Sequence, residues 1–300
     1  MSSNMGRTMN SRYNVTKKSP LLDSSTILIF ALLFFVLLMV LFPRSLFLNN
    51  LVSNQTPSNI STSYLRNLIE EYPSNVAMKL GLAEQEIKLG NMTEANTLIA
   101  PYITLTPTSK IQWKVLFLHY QVIRIGAFSL GEKNPKRIHD EELLKQLLPI
   151  LVNSPWLTAD ETAILAKDSL AFNQPRLAVA FYKLTINKQG KQSSTFFSEA
   201  GRAALYIGDY ESSAMFYLLA MHNSTQRAVR RICYFKAIDS LKLSGKVGRA
   251  LDVAQHSIDG LMNDKKTLIL LTQLANEAGE NKVAEQYVKR IVQLRYKEWV

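Results

Sequence analysis

The residues in this sequence best suited to chemistry are a histidine followed by three acids, His139, Asp140, Glu141 and Glu142. Imidazoles and carboxylates are the usual protein ligands of zinc and other divalent metals. None of the chain's histidines, however, has a second histidine or a cysteine at ligand spacing. Acidic side chains are also favoured in the first turn of a helix, because they complement its dipole. We therefore expect a helix that begins near Glu141, and no metal site.

The sequence lacks the short motifs of common catalytic mechanisms. It has no GxxxxGK[ST] phosphate loop, no GxSxG nucleophile turn, no HExxH zinc motif and no paired CxxC. Its one cysteine, Cys233, lies in the apolar stretch RRICYFKAI, where a small core residue is expected. We predict that the protein is not an enzyme and has no catalytic residue, metal or cofactor. The alternative is an enzyme centred on His139 within residues 126–142.

An apolar run at residues 26–42 separates a short N-terminal tail from the rest of the chain. It reads TILIFALLFFVLLMVLF and contains no charge, proline or glycine. A helix that crosses a membrane needs about 20 apolar residues, and Leu46 to Leu48 extend the run. We predict a transmembrane helix at 26–48, after a disordered tail at 1–25 and before a polar linker at 49–62. A cleaved signal peptide is the competing interpretation, but its apolar region would be about 7–15 residues long.

The distribution of charge predicts an orientation and a class of partner. The net charge is +11, from 35 basic and 24 acidic residues. Residues 1–50 contain five basic residues and one acid, so the remainder carries 30 − 23 = +7. The positive-inside rule places the N-terminus in the cytoplasm and the large domain on the other side of the membrane. In a bacterium that side is the periplasm and in a eukaryote it is a lumen; we expect an inner-membrane protein with a periplasmic domain. A mildly basic domain there is expected to meet an acidic protein, anionic lipid or an anionic polymer, and no nucleic acid.

A repeat runs through the rest of the chain and predicts an all-α fold. A small turn residue is followed five positions later by alanine, or once by serine. Two helices of about a dozen residues, a turn and a connector occupy about 34 residues. From Asn173 to Gly279 the turn residues are spaced by 35, 37 and 34. The recurring pairs are Gly90 with Ala95, Asn173 with Ala178, Gly208 with Ser213, Gly245 with Ala250 and Gly279 with Ala284.

The unit Gly201, Gly208-Asp209-Tyr210, Tyr217 and Ala220 resembles the tetratricopeptide repeat family, with a first-helix glycine, a turn glycine and second-helix aromatic and small residues in register. The resemblance implies an α-solenoid of about six helical hairpins over residues 63–298, and proteins as partners. The predicted units are a half-repeat at 63–72 and repeats at 74–107, 110–155, 158–190, 193–224, 227–261 and 264–298.

Two prolines and one insertion predict local features of the repeats. Pro101 lies within the second helix of the first repeat and should end it early, because proline breaks a helix interior. Pro175 stands at the start of a second helix, where proline is tolerated. The second repeat is about a dozen residues longer than the period, and we assign the excess to a turn stretched from Gly126 to Arg137.

The family resemblance also implies a binding surface, because the first helices of successive repeats line a concave groove. When the groove positions of that family are transferred to this sequence one residue at a time, they form a row of basic residues with aromatic residues at one end. Such a row suits an acidic peptide terminus or a sugar polymer, through charge-assisted bonds and ring stacking. Ordinary solvated charges over core aromatics are the alternative. The candidate residues are Trp113, Tyr120, Arg124, Lys167, Arg202 and Lys242.

A narrower resemblance concerns the N-terminal part. The basic tail, the span ending in Leu41-Phe-Pro-Arg44, and the segment YLRNLIEEYPSNVAMKLGLAEQEIKLG look like the membrane-anchored repeat region of Pel-type exopolysaccharide export proteins. That resemblance implies a periplasmic scaffold in exopolysaccharide biosynthesis or secretion. The leading functional hypothesis is thus a membrane-anchored scaffold of an envelope assembly. The second is a chaperone-like module that binds secretory clients near the translocon.

Overall fold

The computed structural model describes residues 24–41, 59–189, 192–258 and 260–297, which contain fourteen α-helices and no β-strand. The chain divides after Ser61 into two compact units. Helix α1 (Ser24–Leu41) belongs to the first unit, and helix α2 (Asn59–Glu71) begins at the boundary. The second unit holds the remaining helices. The all-α prediction is confirmed for these residues.

Helix α1 covers most of the predicted span. The side chains of Ile27 to Leu37, which are almost all large and apolar, are exposed. Residues 42–48 of the predicted span lie outside the described residues, as do residues 1–23 of the tail and 49–58 of the linker. Among the helices that the structure describes, none combines the length and the apolar content that crossing a membrane requires.

Six helical hairpins follow α2, in agreement with the predicted solenoid. In each, two antiparallel helices are joined by a short turn, and the second helix leads into the next hairpin. The hairpins are α3 (Val76–Leu89) with α4 (Met92–Ile99), α5 (Lys110–Phe128) with α6 (Pro135–Leu151), α7 (Ala159–Ala171) with α8 (Pro175–Asn187), α9 (Ser194–Tyr206) with α10 (Tyr210–His222), α11 (Arg227–Leu243) with α12 (Val247–Ser257), and α13 (Lys265–Glu277) with α14 (Asn281–Lys297).

The turns form as the repeat predicts. In five of the hairpins the turn residue has positive φ, which terminates the first helix in the left-handed conformation. Asn173 does so at φ 57°, and the four glycines do so at 77° to 88°. The small residue five positions later is buried in every case, which lets the second helix pack closely on the first. Ser213, at the alanine position, donates a hydrogen bond to the Gly201 carbonyl at 2.9 Å.

The proline predictions also hold. Helix α4 ends at Ile99, and Pro101 lies in a single 3-10 turn, Ala100–Tyr102, that follows it. Pro175 is the first residue of α8. Proline fits there because the first amide of a helix has no intrahelical partner.

The second hairpin is longer than the others, as predicted, but the prediction placed its extra residues wrongly. The turn is not stretched over 126–137, because α5 continues to Phe128 and α6 already begins at Pro135. Asn134 caps α6 by accepting a hydrogen bond from the Lys136 amide, and Pro135 occupies the first helical position. The excess therefore lengthens both helices to 19 and 17 residues. His139 and its acidic neighbours lie inside α6, so the predicted helix start near Glu141 is also wrong.

The hydrophobic core runs between the paired helices, with one cluster extending from Leu116 to Ala284. The close approach of Gly201 and Tyr217 shows how tightly it is packed. A Cβ atom on Gly201 would lie 3.0 Å from three ring carbons of Tyr217. This contact explains why the first-helix glycine and second-helix aromatic occur together. Cys233 is buried in the same core, as predicted.

Candidate functional site

The first helices of the hairpins place equivalent side chains on one exposed face. The position six residues before the turn residue is occupied by Glu84 in α3, Lys167 in α7, Arg202 in α9, Asp239 in α11 and Gln273 in α13. None of these side chains is buried. Because each stands at the same distance from the helix end, they form one row along the repeat axis. We call this row the groove row.

Most charges near the groove row are neutralised by partners on the next first helix. Such ion pairs join the first hairpin to the second, the second to the third, and the fifth to the sixth. They connect Lys114 to Glu84 (2.9 Å), Arg124 to Asp168 (2.5 Å) and Lys242 to Glu277 (2.7 Å).

Two cations of the groove row, Lys167 and Arg202, are exceptions. Both side chains are exposed, and neither has an ion-pair partner within the described residues. They lie on the first helices of the third and fourth hairpins, and no ion pair joins α7 to α9, or α9 to α11, in that part of the chain. The middle of the groove row therefore carries two cations that are free to bind an anion.

Two of the predicted groove residues belong to the interior. Tyr120 is completely buried, and its hydroxyl donates a hydrogen bond to Asp168 at 2.8 Å. Burial, and then the Asp168 carboxylate, raise the pKa of this hydroxyl well above its usual range. The same carboxylate accepts from Arg124, whose guanidinium also lies over the ring of Phe128. Tyr120 and Arg124 thus join the second hairpin to the third, which corrects their assignment to a free binding face.

The remaining candidates differ in their surroundings. Lys242 lies three residues before its turn glycine, outside the groove row, and is paired with Glu277. Asp239 occupies the row in that hairpin. Partial desolvation raises its pKa, Lys242 acts in the opposite direction, and the nearby Glu277 adds to the rise. Trp113 is half-buried and packs against the core, so its ring is not a freely exposed stacking surface. Only Lys167 and Arg202 remain as exposed candidates, and their part in binding stays a prediction.

A cleft that the sequence analysis missed lies beside Arg202. It is formed by the α7–α8 turn and the last turn of α9, and its two adjoining parts have volumes of about 570 Å³ and 280 Å³. Asn173, Pro175 and Tyr206 line both parts. Tyr206 follows Arg202 by four residues, so helical spacing alone would have placed the two on one face. We call this feature the Tyr206 cleft.

No metal centre accompanies these features. In the described ranges, no three histidine, cysteine, aspartate or glutamate side chains are grouped so that they could hold a metal ion. In α6, Arg137 pairs with Glu141 at 2.7 Å and Lys145 pairs with Glu142 at 2.6 Å. These acids beside His139 are thereby engaged in ordinary helix-surface ion pairs.

Comparison with known proteins gives little further information. No protein-family model matches the chain, and no curated protein matches it. Among solved structures it is similar to a chain of the APC/C hetero-tetramer Cut9-Hcn1, with 10% sequence identity and a TM-score of 0.36. The match covers 82% of this chain and 45% of that one, so this chain spans less than half the length of its neighbour. This match does not assign the chain to a family.

Proposed function

We propose that this protein is a non-enzymatic scaffold whose helical hairpins bind a protein partner through the exposed faces of their first helices. The observation that carries the proposal is a pair of exposed cations, Lys167 and Arg202, that have no ion-pair partner among the described residues. Cations on the flanking first helices, Lys114, Arg124 and Lys242, are instead paired with acids of a neighbouring hairpin. An exposed cation gains little from solvent-screened neighbours but forms strong charge-assisted hydrogen bonds with a carboxylate held against it. The expected ligand is an acidic segment of the partner.

We further propose that residues 26–48 anchor the scaffold in the inner membrane, with the hairpins in the periplasm. The support is the uncharged run at 26–42, the exposed apolar side chains of Ile27 to Leu37, and the basic residues that precede them. An anchored scaffold of this kind suits an envelope assembly. Exopolysaccharide secretion, implied by the narrower sequence resemblance, is the pathway we propose for it.

A specific observation favours a second candidate function, chaperone-like binding of secretory clients. Large apolar side chains are exposed on the first helices of the fifth and sixth hairpins, namely Ile232 (52%), Leu243 (60%) and Ile269 (41%). Exposed apolar surface binds unfolded segments with little regard to their sequence. A chaperone-like module would bind many clients weakly, whereas a scaffold binds one partner in fixed proportion.

Charge reversal in the groove row tests the scaffold proposal. The full chain carrying Lys167→Glu and Arg202→Glu, solubilised in mild detergent, is compared with the unaltered chain for proteins that co-purify from native membranes. The matched control is Lys133→Glu with Lys136→Glu, which changes the net charge equally at two exposed lysines without ion pairs in the described part of the chain. We expect a stoichiometric partner to be lost only from the groove variant. Equal recovery by both variants would contradict the proposal.

A further inference from the structure

The Tyr206 cleft lies at the edge of the hairpin stack, beside the groove row. Its floor is apolar and is made by Leu170, Leu177 and Ile207, which are partly buried against the core. The side of the cleft is Pro175, the first residue of α8. The larger part has a volume of about 570 Å³ and is open to solvent, so it offers a shallow surface on which several side chains of a partner can lie.

Tyr206 is the most exposed large side chain at this edge. It is 77% exposed, although it belongs to a well-formed helix whose other aromatic residues, Phe196 and Phe197, are buried. A tyrosine ring brings a large contact area at low cost in side-chain entropy and is enriched where proteins bind one another. The ring therefore offers the cleft a flat apolar wall that nothing in the described residues covers.

The polar character of the cleft is cationic. Arg176 lines the larger part and Arg202 the smaller part, and both side chains are exposed. Neither has an ion-pair partner among the residues that the structure describes. Glu199 is the single acid among the lining residues. The side chain of Gln174 forms no cap at the start of α8, so the positive end of that helix dipole adds to the two guanidinium groups.

We propose that the Tyr206 cleft binds a segment of a partner protein in which a carboxylate stands next to an aromatic or aliphatic side chain. The carboxylate is held by Arg176 and Arg202, and the apolar side chain lies between Tyr206 and the floor formed by Leu170, Leu177 and Ile207. An anionic polysaccharide matches the charges but leaves this aliphatic floor without an apolar partner. The inference rests on the proposed scaffold function and names the chemistry of the partner.

Selection from a library of random dodecapeptides displayed on phage, against the full chain in detergent, tests the proposal without assuming a ligand. We expect enriched peptides to carry Asp or Glu within two positions of an aromatic or aliphatic residue. Binding of the best peptide should fall by about tenfold or more in Arg176→Glu and in Tyr206→Ala, the loss typical of a central contact residue. It should change less than about twofold in the surface controls Lys133→Glu and Lys136→Glu.

The opposite outcomes separate the two proposals. Peptides that depend on Lys167 but not on Arg176 or Tyr206 would place binding in the groove row, which would overturn the cleft proposal and leave the scaffold function standing. A second set of results would show a polysaccharide site and would also overturn the cleft proposal. In that case polygalacturonate displaces the peptides, its own binding depends on Arg176, and the enriched peptides share no acid–apolar motif. Failure to enrich any peptide would overturn the cleft proposal, while the groove-variant purification decides the scaffold function independently. Unchanged thermal unfolding of each variant shows that it folds.

Discussion

Arg124 and Asp168 lie on the first helices of adjacent hairpins, and the Nε atom of the arginine is 2.5 Å from Oδ2 of the aspartate. The Asp168 side chain is only 5% exposed, and its second contact is the hydroxyl of the buried Tyr120. One carboxylate therefore satisfies a guanidinium and a phenol that would otherwise lack a partner. The arrangement fixes how the second hairpin packs on the third, close to the two free cations of the groove row.

Removing this carboxylate should destabilise the protein strongly. In Asp168→Ala the Tyr120 hydroxyl is left buried without an acceptor and Arg124 loses its counter-ion, so we expect the free energy of unfolding to fall by about 2–3 kcal/mol. Urea denaturation followed by circular dichroism measures the change. Asp160→Ala, at an exposed position on the same helix, is the control and should cost at most about 1 kcal/mol. An equal decrease of the unfolding free energy in both variants would show that the hydrogen bonds of Asp168 to Tyr120 and Arg124 add no stability of their own.

The surroundings of two helix glycines, Gly201 in the fourth hairpin and Gly126 in the second, predict opposite effects of substitution by alanine. Gly201→Ala places a methyl group 3.0 Å from the ring of Tyr217, which is 2% exposed, so the buried ring must shift to accept it. We expect a loss of about 1–3 kcal/mol in unfolding free energy. In Gly126→Ala the new methyl group meets nothing within 4 Å. Because alanine is the better helix former, that variant should gain about 0.5–1 kcal/mol. A destabilised Gly126→Ala variant, or a neutral Gly201→Ala variant, would contradict the described packing.

Acidification should destabilise the solenoid through His119. Burial lowers the pKa of this imidazole below its ordinary value of 6.5. Its Nδ1 atom is buried and has no hydrogen-bond partner among the residues that the structure describes. Well above pH 6.5 the ring is neutral in both the folded and the unfolded chain and does not affect stability. As the pH falls through 6.5, His119 binds a proton in the unfolded chain but not yet in the folded chain, where its pKa is lower. The free energy of unfolding therefore decreases.

Thermal unfolding between pH 7.5 and 5 measures this effect. We expect His119→Gln to show a smaller fall in melting temperature over that interval than the unaltered chain. The exposed His222 provides the control, and His222→Gln should retain the full fall. A pH profile identical in His119→Gln and the unaltered chain would exclude this histidine as the source.

The anchoring proposal predicts that a charge in α1 releases the chain from membranes. A basic residue at the centre of a spanning helix costs about 2.5–3.5 kcal/mol of insertion free energy. In Leu33→Arg we expect part of the chain to move to the soluble fraction after alkaline carbonate extraction, whereas Leu33→Ile should stay with the membrane. If the unaltered chain is itself extracted by carbonate, the anchoring proposal is wrong.

The hairpins could be predicted because their signals are local. The turn residues and the small residue that follows, such as Gly208 and Ser213, act within one hairpin and repeat along the chain. The groove could not be predicted as well. Whether a cation such as Arg124 meets an acid depends on how one hairpin packs on the next, which the spacing of residues within a hairpin does not determine. Tyr206 was missed because an aromatic residue in a helix pattern is expected in the core.

The most direct test of the central claim is photocrosslinking in intact membranes, with a photoreactive residue replacing Ala171, which is exposed on α7 one turn after Lys167. This position leaves both free cations in place. A photoreactive residue at Lys133, on the turn of the second hairpin, serves as the matched control. The scaffold account predicts one dominant crosslinked protein from position 171, lost when Lys167 and Arg202 are both changed to Glu, and none from position 133. A broad smear of products that is the same at both positions and insensitive to charge reversal would contradict it.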